Sequence, residues 1–482
     1  SNLVKIPERY AVQAEPLVEQ IAIRARAMVQ LGLGYLALAR SADQLSAGEL
    51  QRVRLATQLA SRLSGVLYVL DEPTVGLHPA DTELLLAVLG SMQEAGNTVV
   101  VVEHERSVIR AANYIVEMGP GAGDTGGKLL AAAALADFEK RFDTPTARYL
   151  RGGITMWKPT SRRAPTDRMI ELRGVRTHNL KIPHVTLPLG LVVAVSGVSG
   201  AGKSSLVYNT LLPELAARTG GTLKLRSGEF DSIEGAEGVD RVIWVDDRPI
   251  GRTARSTPAT FAGMWTAIRE LFASLPEARI RGYSASRFSF NVREGRCAHC
   301  EGLGEVRLEF ALLPDFSVPC PVCHGARFDR ATLDVRFRGH SIADVLELSI
   351  EEALELFSSI PTVAQVLQTM LRVGLGYLRL GQPAQTLSGG EAQRLKLAAE
   401  LARNARGHTM YVLDEPTTGL HFGDKQVLAR LLHDLVDAGH SVIFIEHDPE
   451  LLACADWIID IGPGAGAAGG RIIAAGSPED IA

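Results

Sequence analysis

Gly197-Val198-Ser199-Gly200-Ala201-Gly202-Lys203-Ser204 sets glycines, a lysine and a serine at the spacing that can cradle a triphosphate. The glycines let backbone N–H groups approach phosphate oxygens. The Lys203 ammonium then reaches the β- and γ-phosphates, and the Ser204 hydroxyl holds Mg²⁺. This chemistry needs a loop between a buried strand and the start of a helix. The apolar run Leu191 to Val195 reads as that strand, and Ser205-Leu206-Val207-Tyr208 as the helix start. A glycine-rich turn that only matches the spacing is the competing reading.

Two further sets of chemically capable residues occur twice. Leu-Asp71-Glu72-Pro returns as Leu-Asp414-Glu415-Pro, and Glu103-His104 returns as Glu446-His447. Around them, Gly32-Leu-Gly-Tyr-Leu36 matches Gly374-Leu-Gly-Tyr-Leu378, and Leu45-Ser46-Ala47-Gly48-Glu49 matches Leu387-Ser388-Gly389-Gly390-Glu391. Gly119 to Gly123 matches Gly462 to Gly466. The offset is 342 residues at Gly32 and 343 at Asp71, His104 and Gly119, so the chain holds an internal duplication. By that offset the loop at Gly197 should have a partner before residue 1. The chain, which opens Ser1-Asn2 without Met, is therefore expected to begin inside its first repeat, with that repeat's phosphate loop missing.

The cysteines form a third set. Cys297-x₂-Cys300 and Cys320-x₂-Cys323 are separated by nineteen residues, and each pair is followed by glycine at the same offset, Gly302 and Gly325. Two such knuckles place four thiolates around Zn²⁺. A pair of disulfides is the competing reading. His299 and His324 are expected to face outward, and Cys454, in apolar company, to be buried.

The elements that position these groups follow from apolar patterning. In the first repeat a helix should follow Glu49, with Val53, Leu55, Leu59 and Leu63 as its apolar stripe. A buried strand should run from Val66 into Asp71-Glu72, then a helix from Asp81 to Gln93, a strand from Asn97 to His104, and a strand from Tyr114 to Met118. Arg151 to Arg168 lacks periodicity and reads as a linker. The 482 residues suggest more than one domain, and the 46% apolar and 22% charged composition is that of a globular chain. A net charge of −5 excludes nucleic-acid binding by bulk charge and leaves it to local patches. No membrane-length apolar run and no signal peptide are visible, and five cysteines in so long a chain fit a reducing cytoplasm.

Leu-Ser-Gly-Gly-Glu before a helix, then Leu-Asp-Glu-Pro, then a strand-end histidine, is the ATP-binding-cassette pattern. In that pattern Asp414 helps hold Mg²⁺, Glu415 orients or deprotonates the attacking water, and His447 contacts the γ-phosphate. The signature loop of the opposite repeat offers backbone N–H groups to the same phosphate. The site would thus combine Gly197, Gly200, Gly202, Lys203, Ser204, Ser205, Asp414, Glu415 and His447 with Ser46, Gly48 and Glu49. A second site would set Asp71, Glu72 and His104 against Ser388, Gly389 and Gly390, without a phosphate loop.

Within that superfamily the chain resembles the UvrA family, damage-sensing subunits of the bacterial excision-repair nuclease. The resemblance rests on Asp246 to Phe261 (DDRPIGRTARSTPATF), Arg287-Phe-Ser-Phe-Asn-Val292, Gly295-Arg296-Cys297, Leu313-Pro314-Asp315, Leu387 to Arg394 and both Leu-Asp-Glu-Pro-Thr runs. It implies an α/β fold: two cassette cores with mostly parallel sheets, packed head to tail, and a zinc-binding α/β insertion in the second. The expected divisions are 1–150 for the later part of the first cassette, 151–168 for the linker, 169–264 for the phosphate-loop part of the second, 265–385 for the insertion with a zinc module at 290–332, and 386–482 for the remainder. The resemblance implies ATP-dependent binding of damaged or distorted double-stranded DNA in nucleotide excision repair, with no nuclease activity of its own. ATP, Mg²⁺ and Zn²⁺ are the implied cofactors and a homodimer the implied assembly. UvrB is a partner in the family, but the region that binds it is not in this chain.

Arginines crowd the insertion, and Arg287, Arg293 and Arg296, interleaved with Phe288 and Phe290, are the expected DNA contacts. A solvated arginine face is the alternative. The chain departs from the family at Asp247, where the pattern has Gln, and at Ala47, where it has Gly. Both put turnover in doubt and leave a non-hydrolysing scaffold open. A family paralogue protecting its producer from a DNA-binding antibiotic shares every motif. A transporter ATPase subunit is disfavoured by the zinc insertion.

Overall fold

The computed structural model describes residues 11–481 except 42–44, 46, 61–62, 122, 124–125, 221–225, 247–249, 252, 254, 309–315 and 404–406. Ser46, Asp247 and the run 313–315 therefore lie outside the described residues. The chain divides into two compact units. One holds the chain up to Glu117 with Leu130–Trp244 and Gly407–Ala482, and the other holds Met118–Leu129 and Val245–Arg406.

In the first repeat the helix Ala11–Gln30 leads into Leu31 and Leu33, and the helix Ala47–Leu59 follows. Ala27, Leu31, Leu55 and Ala56 pack with Leu85, Val88, Leu89 and Met92 of the helix Pro79–Glu94. Leu63 does not extend the stripe: the helix ends at Leu59, and Leu63 is 51% exposed. Strands β1 (Leu67–Asp71) and β2 (Thr98–Val102) pair in parallel, and β3 (Tyr114–Gly119) pairs with β4 (Lys128–Ala134). The expectation that the strand into Asp71-Glu72 is buried fails on one face. Leu67 and Val69 are 61% and 65% exposed, because β1 packs a helix on one side and nothing among the described residues covers the other.

The second repeat is covered on both sides. β5 (Met169–Val175), β6 (Ile182–Pro188) and β8 (Ser232–Glu234) form a three-stranded sheet, with β7 (Val192–Ser196) following β6 in the chain. β7 belongs to a six-stranded sheet with β9 (Arg241–Val245). After the insertion strands β10 (Glu305–Leu308), β11 (Phe316–Pro319), β12 (Arg336–Phe337) and β13 (His340–Ser341), this sheet is completed by β14 (Thr409–Asp414), β15 (Ser441–Ile445), β16 (Trp457–Gly462) and β17 (Arg471–Gly476). Its order is β17-β16-β7-β15-β14-β9, and β7 runs parallel to both neighbours. Val193, Val195, Val412, Ile443 and Ile459 share one core with Ile170, Leu172, Leu206 and Leu211. β7 is buried along its whole length, as a central strand with a parallel neighbour on each edge must be.

The stretch 151–168 carries no regular element, yet it is tied down. Arg162 bonds Glu479 at 2.7 Å and the Ala453 carbonyl at 2.9 Å, and Arg163 pairs with the buried Asp456 at 2.9 Å. Cys454, buried as expected, donates its thiol to the Trp157 carbonyl at 2.8 Å. No helix among the described residues is long and apolar enough to cross a membrane.

In the second unit, Phe272, Phe288, Phe290, Phe328 and Phe357 are fully buried and in ring contact with aromatic neighbours, Phe272 against Phe288 at 5.6 Å. Phe288 and Phe290 are thus core residues rather than an aromatic face between arginines. Paired Ser–carboxylate caps open its helices at Ile342, Ile350 and Gly389.

Candidate nucleotide and metal sites

The loop after β7 carries the expected phosphate-binding residues. Gly202, in left-handed conformation, immediately precedes Lys203, where a helical run to Arg218 starts, so backbone N–H groups lie unbonded at its first turn. Lys203 is buried, and its Nζ donates to the carbonyls of Gly197 at 2.8 Å and Val198 at 3.0 Å. Burial pushes the ammonium down to about 8, against the pull of Glu415, Asp81, Asp414 and Asp460. A buried cation held only by carbonyls among the described residues, beside the exposed Ser204, suits a phosphate ligand with its metal. Ser205 bonds the His178 ring at 3.1 Å.

Glu415 stands past the end of β14, and its N–H bonds the Ile445 carbonyl at 3.0 Å. Its φ is 41°, and that of Glu72 is 43°. A glutamate in the left-handed region is strained, and such strain collects at functional positions. His447 Nε2 lies 3.5 Å from Glu415 Oε1, and His104 Nε2 lies 3.6 Å from Glu72 Oε1. Burial raises the Glu415 carboxyl, but the His447 bond and charge and the charge of Lys203 outweigh it and hold Glu415 below its ordinary value. Burial and the charge of Lys203 push His447 below its ordinary value, against the pull of Glu415.

The two repeats face each other through these groups. A β-carbon added at Gly76 would lie 3.1 Å from a Glu415 oxygen, and one at Gly419 would lie 3.3 Å from those of Glu72. His78 meets His447 edge-on at 6.1 Å, as His421 meets His104. Ser199 donates to the Gly76 carbonyl at 3.3 Å, so the phosphate loop touches the first repeat directly. A cavity of about 250 Å³ lies between the two Glu–His pairs, with Lys425 and Asp448 in its wall.

The signature residues divide between the units. Gly48 is buried, and a β-carbon there would lie 2.3 Å from the Val75 carbonyl oxygen, so only glycine fits. Glu49 is buried one residue on. In the second unit Ser388 and Gly389 are not buried, and Gly390 is. A β-carbon at Gly389, the counterpart of Ala47, meets nothing within 4 Å, so the position itself has room for one. Asp71 is exposed.

Sequence reasoning passed over Glu103 and Glu446. Glu446 accepts from Thr417 N at 2.9 Å, His447 N at 2.7 Å, Asp448 N at 3.1 Å and the Thr417 hydroxyl. Glu103 does the same with Thr74, His104 and Glu105. Each carboxylate fastens the histidine loop to the segment after Glu72 or Glu415. The repeated Glu-His dipeptide was the available signal.

In the second unit the antiparallel β10–β11 hairpin brings the two cysteine pairs together. All four Sγ atoms lie within 4.8 Å of one another, with Cys297–Cys320 at 4.0 Å and Cys300–Cys323 at 3.6 Å. A tetrahedron of Zn–S bonds of about 2.3 Å puts sulfurs about 3.8 Å apart, so the donor set fits Zn²⁺. None is disulfide-bonded, and His299 and His324 are not buried. Cys297→Ser should reduce bound zinc to a small fraction of the wild-type content and loosen residues 290–332 to protease, while the first unit melts unchanged. Metal analysis beside limited proteolysis tests this, and full zinc content in the variant would refute it.

The three arginines differ. Arg287 bonds Thr332 at 2.9 Å and Asp329 at 2.8 Å and lies 4.5 Å over the Tyr283 ring, while Arg296 pairs with Glu301 at 3.4 Å. Arg293 is exposed and has no hydrogen-bonding or ion-pairing partner among the described residues. Of the three, Arg293 alone presents a guanidinium without a partner among the described residues.

No family model matches the chain. Comparison with whole proteins places it. The chain is 51% identical over 477 residues to UvrABC system protein A of Thermus thermophilus, covering 99% of this chain and 50% of that protein. The crystal structure of UvrA2 from Deinococcus radiodurans superposes with a TM-score of 0.92 at 48% identity, over 100% of this chain and 58% of that one. A chain of the ribosome-bound archaeal Pelota and ABCE1 assembly shares the fold, with a TM-score of 0.52 at 18% identity over 96% of this chain and 61% of that one. The chain thus spans about half the length of the curated relatives it matches.

Proposed function

The chain belongs to the UvrA family, that of UvrABC system protein A, and on that premise we propose that it carries the ATP-hydrolysing site of a protein that binds damaged or distorted duplex DNA in nucleotide excision repair. The observation that supports this most is the 51% identity across 99% of the chain. In this reading Lys203 and the backbone N–H groups of 200–205 hold the phosphates, Glu415 orients the attacking water, and His447 contacts the γ-phosphate. Ser204 and Asp414 would hold Mg²⁺, which supplies charge neutralisation at the phosphates; Asp247 belongs to the same set. Ser46, Gly48 and Glu49 complete the site from the first repeat. Cys297, Cys300, Cys320 and Cys323 hold Zn²⁺. The protein acts as a homodimer in the cytoplasm, and UvrB is a partner in the family. The divisions at 150, 168, 264 and 385 serve as its domain boundaries.

The test is duplex binding with and without ATP, comparing an undamaged duplex with one carrying a single bulky adduct, beside ATPase rates in their presence. A preference for the adduct that depends on ATP is expected. Equal binding of both duplexes in every nucleotide state would reject the reading.

The insertion arginines give a narrower test. Arg293→Ala should flatten the log–log salt dependence of duplex binding by about 0.9, the value for one phosphate contact. Arg287→Ala and Arg296→Ala should destabilise the insertion and leave the slope within about 0.3 of wild type, since each guanidinium is held by acidic neighbours. Fluorescence anisotropy across a salt series measures the slopes, and an unchanged slope for Arg293→Ala makes that residue part of a solvated face.

A further inference from the structure

The Gly-Leu-Gly-Tyr-Leu motif occurs twice, and nothing so far gives it a role. We propose that Tyr35 is a positioning residue for the nucleotide site, tying the signature helix of the first repeat to the phosphate loop of the second. The inference rests on the reading that this loop binds nucleotide.

Tyr35 holds both ends of that tie. Its hydroxyl donates to Glu49 Oε1 at 2.6 Å, and Glu49 is buried in the first turn of the helix Ala47–Leu59. Burial first, and the Glu49 carboxylate second, keep the phenol protonated, so it remains the donor. Its ring lies against Gly200. A β-carbon added there would lie 2.9 Å to 3.1 Å from three ring atoms, and Gly200 has a φ of +75°, so neither space nor backbone admits another residue. Elsewhere the same loop is gripped from its own repeat. The Gly200 carbonyl accepts from Gly466 N at 2.9 Å and from Asn179 Nδ2 at 3.3 Å. Asn179 Nδ2 also reaches the Ala201 and Gly466 carbonyls at 3.0 Å and 3.1 Å.

The second copy of the motif repeats the arrangement inside the other unit. Tyr377 donates to Glu391 Oε1 at 2.6 Å, again in the first turn of a signature helix. A β-carbon at Gly123 would lie 3.3 Å from the Tyr377 β-carbon, as one at Gly466 would lie 3.6 Å from that of Tyr35. Gly123 and Gly466 are counterparts in the duplication. Two copies that differ in sequence around the motif keep the same bond and the same glycine contact, which a packing accident would not do.

Backbone donors hold a phosphate well only when they are already in place. The Tyr35 ring limits the shapes the loop can take at Gly200, and the phenol–Glu49 bond makes that limit depend on where the signature helix sits. A shift of the helix is therefore felt at the loop through Tyr35.

The two links separate experimentally. Tyr35→Ala removes ring and hydroxyl, and Tyr35→Phe removes the hydroxyl alone. A fluorescent ATP analogue gives Kd, steady-state phosphate release gives kcat and KM, and Lys203→Ala runs alongside. Tyr35→Ala should raise Kd and KM about tenfold and lower kcat about three- to tenfold, and Tyr35→Phe should leave Kd within about twofold while lowering kcat by about the same three- to tenfold. Tyr35→Phe combined with Glu49→Ala should be no worse than Glu49→Ala alone, because the alanine already removes the acceptor of the Tyr35 bond, together with the Arg40 pair. Wild-type Kd and KM in Tyr35→Ala, or additive losses in the double variant, would overturn the inference. So would a uniform fall in active fraction matched by lower melting temperatures, which is what plain packing predicts. Undiminished binding in Lys203→Ala would instead remove the nucleotide-site reading itself, and the inference with it.

Discussion

Lys203→Ala is expected to lower ATP affinity by about two to three orders of magnitude, the cost of truncating one member of a buried, hydrogen-bonded charge pair. Lys203 lies at about 8, because burial disfavours the ammonium more than the nearby carboxylates favour it. A triphosphate reverses that balance and raises the pKa. Binding therefore takes up a proton whenever the pH exceeds about 8. The sign follows: affinity is flat below that pH and falls as the pH rises above it, by up to about tenfold per pH unit. Calorimetry of the wild type and the variant on both sides of this pH checks both parts. The variant should be weak throughout and lose the alkaline slope. A variant that binds as tightly as wild type would remove Lys203 from the site.

Glu415→Gln is the second large effect. Turnover should fall by about 10²- to 10⁴-fold, the range for loss of a positioned general base, with ATP affinity preserved. Glu72→Gln should stay within about twofold of wild type. The two glutamates share strand-end placement, left-handed backbone and a histidine partner, so local geometry does not separate them. What separates them is the neighbourhood. Lys203 and the loop at Gly197 to Ser204 lie beside Glu415, while the first repeat has no such loop among the described residues. Phosphate release under saturating ATP distinguishes them, and a dead Glu72→Gln beside an active Glu415→Gln would reverse the assignment.

What could be read from the residues in advance was what is local. The loop at Gly197 to Ser204, the repeated Asp-Glu and Glu-His pairs and the paired cysteines carry their chemistry within a few positions. The strand before the loop is as buried as its apolar run implied. The same kind of run at Leu67–Leu70 misled, because an apolar strand does not say whether both its faces have neighbours. The partners of Arg287 and Arg296 were hidden for a related reason. Asp329, Thr332 and Glu301 reach them only once the zinc hairpin has folded. Tyr35 could not have been placed on Gly200 at all, since the two meet only when one repeat lies against the other.

The left-handed glutamates carry one more consequence. A side chain held at such a φ costs about 1–2 kcal/mol relative to an ordinary backbone, a cost glycine does not bear. Positions 72 and 415 are therefore places where the chain is less robust than its fold allows. Screening for heat resistance alone would favour glycine at both, and at position 415 the hardier protein would be the idle one. With Glu415 as the residue that orients the attacking water, as proposed above, durability and turnover pull against each other at a single backbone torsion, and an engineered version would have to be selected for both at once.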